Sequence, residues 1–389
     1  MGNPRQSEFN FISSEGSPFE CGDKKKETLL SHFEDLLSPV LENHDQGADR
    51  VRSHLLSSLV GLGRSTVSGM LCTSGSSQVD WSADYRLYSK GRLDSGVLFN
   101  EIRQEIEKSH AKEKEVVIAL DDTLLAKTGR KVEGARYRRN PLGPPFGCNL
   151  KWSQRFLQCS AAVGSSNGVR MVPVDLVHSP GAKKPGKNAT PEQNAHYRQE
   201  QQKLKLTQVG VDRLNYLASV WDPEQRMIVT VDGGYTNQTF FQQKHDRITL
   251  IGRIRKDAQL YYNPESQPLR GRKKSYGALA PTPEELRQNE SIEYQRVEAN
   301  ACGQVHQFKI KTITGLRTRM DKGKQEYRLL VIAPLGYRPR KGSRLLYRKP
   351  AYLLCSDPQM DLKKRNSLAL PHNVRIFSFL KLKSVQASA

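Results

Sequence analysis

Apolar positions recur with a helical period through roughly the first hundred residues of the chain. From Glu27 onward, one face of a predicted helix collects apolar side chains until Pro39 interrupts it. Further helices are predicted over residues 48–60 and 98–108. The apolar face of the first helix comprises Leu29, Leu30, Phe33, Leu36 and Leu37. This periodicity predicts a helical domain over residues 26–110.

The middle of this helical region has the layout of a helix-turn-helix. One predicted helix ends at Gly61-Leu62-Gly63, and a Ser/Thr-led helix begins near Ser65. A helix, a short glycine turn and a second capped helix form this DNA-binding motif. A small helical bundle without DNA contact has the same pattern, so both interpretations stand. The polar, Gly/Ser-rich residues 1–25 are predicted to be disordered.

After residue 110 the apolar pattern changes to the short runs that are typical of β-strands. Strands are predicted at residues 115–120, 155–163, 169–177, 227–231 and 248–254. The sequence SSNG at 165–168 predicts a hairpin, residues 130–150 a loop, and residues 191–219 and 236–244 helices. This order predicts an α/β (α+β) fold with a mixed sheet, and it fits the RNase H-like fold over residues 111–256.

Residues 257–350 depart from this alternation, because strand-like segments are separated there by polar loops. The segments cover residues 292–299, 306–314 and 327–335. We interpret this stretch as a basic, β-rich insertion, since residues 301–350 contain 13 Lys and Arg but only 2 Asp and Glu. An apolar run then assigns residues 351–360 to the last core strand, and residues 361–389 form an atypical tail.

The chain carries a formal net charge of +21, from 61 Lys and Arg against 40 Asp and Glu. Cations near phosphates release condensed counterions, so this charge favours a polyanionic partner. The densest cluster lies within residues 338–349 and comprises Arg338, Arg340, Lys341, Arg344, Arg348 and Lys349. Such a block repels itself unless a polyanion neutralises it, and we therefore favour a DNA-backbone surface over a solvated charge run.

Other protein classes have little support in the sequence. No apolar run reaches the ~18 residues of a membrane span, and the N-terminus has no apolar signal-peptide segment. We therefore expect a cytoplasmic protein with no membrane partner. The six cysteines are scattered without a CxxC pair, which predicts free thiols and no zinc site.

Two aspartates follow apolar runs and are the candidate catalytic and metal-binding residues. Asp121 follows the run at 115–120, and Asp232 follows the run at 227–231. Ligands bind at strand ends in open α/β sheets, and a hard cation such as Mg²⁺ can join two carboxylates there. Two such ions can activate water and stabilise a leaving 3′ oxygen. Each aspartate could instead cap a helix or form a turn, but two in matching positions favour the metal site.

The residues beside these aspartates are candidates for supporting roles. Successive side chains of a strand lie on opposite faces, so we expect only one of Asp121 and Asp122 to enter the site. We favour Asp121, with Asp122 or Thr123 capping or supporting it. Tyr235 follows Asp232 by three residues, and packing and functional roles fit it equally well.

The sequence around both aspartates resembles bacterial insertion-sequence DDE transposases. DDTLLAKTGRKVEG (121–134) resembles their first catalytic block, and VTVDGGYTN (229–237) is similar to the second. Residues 79–92, 248–261 and 351–358 add to a resemblance that spans roughly residues 45–360. It implies an RNase H-like core with a β-rich insertion after the fifth strand. It also implies Mg²⁺, with Mn²⁺ as an alternative, and action on terminal inverted repeats of double-stranded DNA.

The chain departs from this family in its C-terminal region. The resemblance implies a helix after the last strand that carries Tyr, Arg and a catalytic Glu. The last Glu of the chain is Glu326, inside the insertion, and only Asp357 and Asp361 offer carboxylates beyond it. We therefore expect a C-terminally truncated or frameshifted transposase with impaired cleavage.

Three functions compete at this point. The first is a DDE transposase that cleaves and joins DNA at the nucleoid, a role compatible with a homodimer. The second is a non-catalytic remnant that binds element ends or inhibits the full-length enzyme. A structural nucleic-acid-binding protein unrelated to transposition would explain the charge but not the paired aspartate blocks.

Overall fold

The computed structural model describes residues 29–42, 47–63, 65–140, 143, 147–165, 168–268, 270–301, 304–338 and 342–360. The predictions for residues 1–25 and for the tail, residues 361–389, lie outside the described residues. The described chain forms two compact units, one ending at Asp94 and the other beginning at Ser95.

The first unit is helical. Its helices are α1 (Leu29–Glu42), α2 (Ala48–Val60), α3 (Val67–Thr73) and α4 (Ser82–Ser89). The interruption predicted at Pro39 is wrong, because α1 continues through this residue. Pro39 lies in the last turn of α1, where its missing N–H removes one backbone hydrogen bond and disturbs little that follows. Leu37 and Val40 are buried on either side of it.

Helices α2 and α3 are joined by the predicted glycine turn. Gly63 has a φ of 98°, a conformation that glycine adopts without steric cost. The Thr66 side chain accepts a hydrogen bond of 3.1 Å from the Gly69 amide and caps α3. DNA contact by this helical unit stays a prediction.

The sequence analysis did not predict α4, which a buried polar network holds against α2. The ring of His54 hydrogen bonds to the Tyr88 hydroxyl at 2.9 Å and to the Asp84 carboxylate at 3.0 Å. His54 and Asp84 are both buried. Because buried polar groups are costly without partners, this network fixes the position of α4.

The second unit is built on a mixed sheet. Its helices are α5 (Ser95–Ser109), α6 (Pro191–Lys203), α7 (Leu206–Val220), α8 (Gln238–Gln243) and α9 (Pro283–Gln288). Its strands are β1 (Glu115–Ala126), β2 (Arg136–Arg139), β3 (Leu150–Ser165), β4 (Gly168–His178), β5 (Arg226–Val231), β6 (Ile248–Arg253), β7 (Tyr261–Tyr262), β8 (Gln295–Ala301), β9 (Gln304–Arg317), β10 (Tyr327–Ile332), β11 (Gly336–Tyr337), β12 (Leu346–Tyr347) and β13 (Ala351–Cys355). Helix α5 belongs to this unit, although the sequence analysis grouped it with the helices before it.

The core of the sheet has the strand order β4-β3-β1-β5-β6. Strand β3 is antiparallel to β1 and β4, whereas β1, β5 and β6 are parallel to one another. This is the RNase H-like arrangement, and the predicted fold class is confirmed. The β3–β4 ladder reaches the pair Ser165 and Gly168, in agreement with the hairpin predicted there.

The strands of the predicted insertion continue the same sheet. β13 pairs with β6, and β10, β9, β7 and β8 extend the array to eleven strands. In β10 the neighbours Leu329 and Leu330 are both fully buried, on opposite faces. A strand that is apolar on both faces needs cover on both, and the two apolar clusters described below supply it. The loop predicted over residues 130–150 also contains a strand, β2, which pairs with β3.

Two apolar clusters cover the two faces of the sheet. Val116, Ile118 and Leu120 of β1 pack with residues of α5, α7, α8 and α9 on what we call the helix face. Val117 packs on the opposite face with residues of other strands. Strand alternation therefore assigns each side chain of β1 to one of these faces.

The long helix predicted over residues 191–219 is in fact two helices. The backbone of Lys205 is extended, with a φ of −62° and a ψ of 129°, and separates α6 from α7. Helix α7 buries Leu214 and Leu217 against the sheet, whereas α6 buries none of its side chains. The break follows this difference in packing, and neither glycine nor proline marks it in the sequence.

Candidate active site

Asp121 and Asp232 follow the last paired residues of two neighbouring parallel strands. The parallel register of β1 and β5 ends with Leu120 opposite Val231. Asp121 and Asp232 occupy the next position on each strand, so the fold brings them side by side at the carboxyl edge of the parallel strands. Both are half-buried. This is the position at which open α/β sheets bind ligands.

Asp121 does not end its strand, contrary to the sequence interpretation. β1 continues to Ala126, paired with β3 alone. The chain between Asp121 and Ala126 therefore projects beyond the end of β5 as part of a β1–β3 ribbon. No helix begins at Asp122 or Thr123, so their predicted capping role is wrong.

Strand alternation separates the two neighbouring aspartates. Asp122 is on the helix face, because it lies opposite Leu157, which packs in that cluster. Asp121 therefore lies on the opposite face. The alternation of β5, continued by one residue, gives Asp232 the same opposite face. Asp121 and Asp232 therefore share one face of the sheet, and Asp122 lies on the other.

Asp122 has a different partner. The Tyr235 hydroxyl donates a hydrogen bond of 2.8 Å to its carboxylate. Tyr235 is buried and packs edge-on against Phe240, with ring centroids 5.5 Å apart. Burial, together with the charge of Asp122, raises the pKa of Tyr235 above its ordinary value. Tyr235 therefore packs in the core and donates to Asp122, and a functional role for it stays a prediction.

The turn after β5 places these groups. The backbone carbonyl of Asp232 accepts hydrogen bonds from the Tyr235 amide at 2.9 Å and the Thr236 hydroxyl at 3.3 Å. Asn237, rather than Asp232, caps α8 with its side chain. The carboxylate of Asp232 is therefore not used as the cap of the following helix.

The predicted DNA-binding cations surround the β11–β12 hairpin. Four of them are described there, namely Arg338, Arg344, Arg348 and Lys349. Arg340 and Lys341 lie outside the described residues. The hairpin also exposes 68% of Tyr347 and 41% of Leu346. Contact of this hairpin with DNA stays a prediction.

The family of the chain follows from comparison with known sequences. Residues 36–314 match the model of the DDE superfamily endonuclease family. The chain belongs to this family. No curated protein sequence matches it. The crystal structure of the NurA nuclease from Sulfolobus solfataricus is similar over 80% of this chain and 92% of that chain, with 12% identity and a TM-score of 0.28. So low a TM-score supports no argument about this chain.

DDE endonucleases act on nucleic acids and use divalent metal ions. In this chain, Asp121 and Asp232 are the candidate ligands for such an ion. Mg²⁺ is held by one or two protein carboxylates, with water and substrate oxygens completing its shell. Within the described residues, no group of three or more His, Cys, Asp or Glu side chains could hold a metal. Among the described His, Cys, Asp and Glu side chains, none joins Asp121 and Asp232 as a third ligand, and binding of an ion by these two stays a prediction.

The acidic residues considered as a third carboxylate lie elsewhere. Asp357 forms an ion pair of 2.8 Å with Arg226, the first residue of β5, at the opposite edge of the sheet. Glu326 precedes β10 at that same far edge and accepts a hydrogen bond from Asn263. Asp361 lies outside the described residues. Neither described candidate can approach Asp121.

One acidic group at the correct edge was missed in the sequence. Glu284 of α9 accepts hydrogen bonds from Arg287 and from Tyr352, the second residue of β13. These hydrogen bonds lower the pKa of Glu284 to about 2. The Glu284 amide also donates to the carbonyl of Lys256, just after β6, at 3.0 Å, and no local pattern in the sequence signals these contacts. Since both partners engage Glu284, its present role is to hold α9 against β13.

The remaining predictions from the sequence concern membrane-spanning helices and free cysteine thiols. In the part of the chain that the structure describes, no helix has the length and apolar character needed to cross a bilayer. Cys72, Cys148, Cys159 and Cys355 are free thiols. Burial raises the pKa of Cys355 to about 11, so this thiol is unreactive at neutral pH.

Proposed function

We propose that this chain is a DDE-type DNA transposase that binds double-stranded DNA at element ends and has impaired metal-dependent cleavage and strand transfer. The observation that carries the proposal is the register of β1 and β5, which sets Asp121 beside Asp232. Two half-buried carboxylates at that edge repel each other unless a cation joins them. Family membership supplies the reaction class, phosphodiester cleavage.

Asp121 and Asp232 would hold Mg²⁺ or Mn²⁺ in this proposal. Such an ion supplies activation of a water nucleophile and stabilisation of the leaving oxygen. The protein's own contribution is positional. Tyr235 fixes Asp122 on the helix face, and this hydrogen bond keeps the adjacent Asp121 directed to the opposite face.

The β11–β12 hairpin is the proposed DNA-backbone surface. Exposed Arg338, Arg344 and Lys349 would neutralise phosphates, with Arg348 beside them. Replacing Arg338 and Arg344 by Gln should weaken the salt dependence of DNA binding. The slope of the logarithm of the association constant against the logarithm of the salt concentration should fall in magnitude by about 1 for each phosphate that the variant no longer neutralises. A matched control replaces Lys112 and Lys114, which lie beside the amino end of β1. An equal change in both variants would contradict a specific role for the hairpin.

Cleavage is proposed to be weak because Asp357 and Glu326 lie at the far edge of the sheet. A site with two carboxylates binds its ion less tightly than one with three. This observation also favours the second function, a non-catalytic protein that occupies element ends or inhibits a full-length transposase. In either case the DNA target would place the protein at the nucleoid, and a homodimer could bridge two ends.

Two assays on one preparation test these functions. Fluorescence anisotropy measures binding of a labelled duplex in EDTA, and relaxation of a supercoiled plasmid measures nicking in Mg²⁺ or Mn²⁺. We expect salt-dependent binding that the Asp232→Asn variant retains, with slow nicking that this variant loses. Binding without any nicking would select the non-catalytic function. Absence of DNA binding at low salt would contradict both functions, and robust nicking that needs Asp232 would contradict the impairment.

A further inference from the structure

Three arginines share the sheet face that carries Asp122. Arg155 of β3 lies opposite Leu124 of β1, two residues beyond the pair of Asp122 with Leu157. Arg136 and Arg138 of β2 pair with Ser153 and Lys151 of β3. These two β3 residues lie two and four positions before Arg155, so they are on the same face as Arg155. All three arginines are therefore on the helix face of the ribbon that projects beyond β5.

Part of this arginine group has structural partners. Arg136 donates to the carbonyl of Gly181 at 2.7 Å and to that of Ala182 at 2.5 Å. One terminal nitrogen of Arg138 donates to the Pro180 carbonyl at 2.5 Å. These bonds hold the loop after β4 against β2. They make Arg136 chiefly a structural residue.

Other polar atoms of the group are buried without a partner. The Nε atoms of Arg138 and Arg155 are both in this state, and so is the hydroxyl of Ser179. Ser179 is 1% exposed, and its amide donates to the Arg155 carbonyl at 2.8 Å, which places it beside that arginine. A buried donor that lacks an acceptor costs about 1–3 kcal/mol, so such atoms are rare and call for an explanation.

The charges of the group are also poorly balanced. Burial, followed by the positive charges of Arg155 and Arg136, lowers the pKa of Arg138 to about 10. The negative charge that acts against this shift is that of Asp122, whose carboxylate accepts the Tyr235 hydroxyl. An anion placed between Arg138 and Arg155 would reduce the repulsion between the two guanidinium groups. It would also accept hydrogen bonds from their unpaired Nε donors.

We propose that Arg138, Arg155 and Ser179 form a binding site for a phosphate group of the DNA backbone, on the face of the β1–β3 ribbon opposite to Asp121. The guanidinium fork matches phosphate oxygens, and hydrogen bonds between ionised partners are about twice as strong as neutral ones. The assignment to DNA rests on the proposed function. The anion site itself rests on the buried donors alone.

The first arm of the test uses inorganic phosphate and needs no DNA. Thermal unfolding of the full chain is followed in phosphate and in chloride at equal ionic strength. We expect phosphate to raise the Tm of the wild type and to have a smaller effect on Arg155→Gln and Ser179→Ala. Ser179→Ala is the more specific test, because the Ser179 hydroxyl has no hydrogen-bond partner to lose in the free protein. An equal rise of Tm in phosphate for the wild type and both variants would overturn the proposed anion site.

The second arm locates the phosphate on DNA. Single methylphosphonates are placed at successive positions of a labelled duplex, and affinities are measured in EDTA. In wild type one position should weaken binding several-fold, and the same position should have no further effect in Arg155→Gln. The control Arg170→Gln makes the same charge change on exposed β4, at the other end of the β3–β4 hairpin.

The two arms separate the possible failures. If phosphate stabilises the protein but no methylphosphonate position couples to Arg155, the anion site stands and its assignment to DNA is overturned. If the wild type does not bind DNA at all, the proposed function fails, while the phosphate arm still decides the site. Coupling to Arg170 as strong as that to Arg155 would also overturn the assignment.

Discussion

Tyr235 donates a hydrogen bond of 2.8 Å to Asp122, and so joins the turn after β5 to the face of β1 that the proposed metal site does not use. This hydrogen bond explains how adjacent aspartates acquire different roles. Asp122 belongs to a buried hydrogen bond, and Asp121 is placed at the strand edge beside Asp232. The hydrogen bond therefore links the second sequence block, which contains Tyr235, to the first, which contains Asp122.

The first prediction concerns the strength of this hydrogen bond. Tyr235→Phe removes the donor and keeps the ring packed against Phe240. We expect the free energy of unfolding to fall by about 2 kcal/mol, since the deleted bond has a charged acceptor. Urea denaturation measures the change, with Tyr347→Phe as the exposed control. A decrease no greater than that of the control would show that the hydrogen bond does not stabilise the fold.

The second prediction concerns acid stability. Hydrogen bonds from Arg287 and Tyr352 lower the pKa of Glu284 from 4.5 to about 2. A depressed folded pKa contributes stability above pH 4.5, and this contribution is lost as the pH falls toward 2. The unfolding free energy of Glu284→Gln should therefore decline less steeply than that of wild type over this window.

A matched variant makes the acid test specific. Glu224→Gln removes an exposed carboxylate that precedes β5 and should reproduce the wild-type decline. Parallel curves for wild type and Glu284→Gln would mean that the link between α9 and β13 does not depend on ionised Glu284. The measurement is denaturant unfolding at a series of pH values.

The third prediction concerns Gly252, which lies opposite Val231 in the β5–β6 ladder. A methyl group there would lie 2.3 Å from the Thr236 hydroxyl oxygen. Gly252→Ala should displace Thr236, which donates to the Asp232 carbonyl. We expect the free energy of unfolding to fall by about 1–3 kcal/mol, as for other overpacked sites.

A double-mutant cycle identifies the cause of that destabilisation. In a Thr236→Ala background, Gly252→Ala should cost less, because the nearest atom has been removed. Gly186→Ala is the control, since no atom lies within 4 Å of its added methyl. Equal costs of Gly252→Ala in both backgrounds would contradict the steric explanation.

Local patterns predicted much of the RNase H-like core. The apolar runs before Asp121 and Asp232 became β1 and β5, and the order of the runs predicted the mixed sheet. Alternation also predicted that only one of Asp121 and Asp122 enters the site, and the register of β1 with β3 and β5 puts these two side chains on opposite faces. These features depend on short-range periodicity, which a single sequence contains.

Features that depend on distant pairing were missed. The extension of β1 to Ala126 depends on β3, and the polar pair Asp121-Asp122 looked like a strand end. The insertion joined the main sheet because β13 pairs with β6, and these strands are far apart in the sequence. The hydrogen bond of Tyr235 with Asp122 depends on the register of β1 with β3 and on the register of β1 with β5. No local pattern contains that information.

The most direct test of the account is binding of Mn²⁺ to the protein–DNA complex, measured by electron paramagnetic resonance. Asp121→Asn and Asp232→Asn are compared with Asp122→Asn, a neighbouring carboxylate on the other face of the same strand. Either of the first two variants should lose the bound Mn²⁺, and Asp122→Asn should retain it despite lower stability. Retention of Mn²⁺ by Asp121→Asn, or its loss only in Asp122→Asn, would contradict the pairing of Asp121 with Asp232.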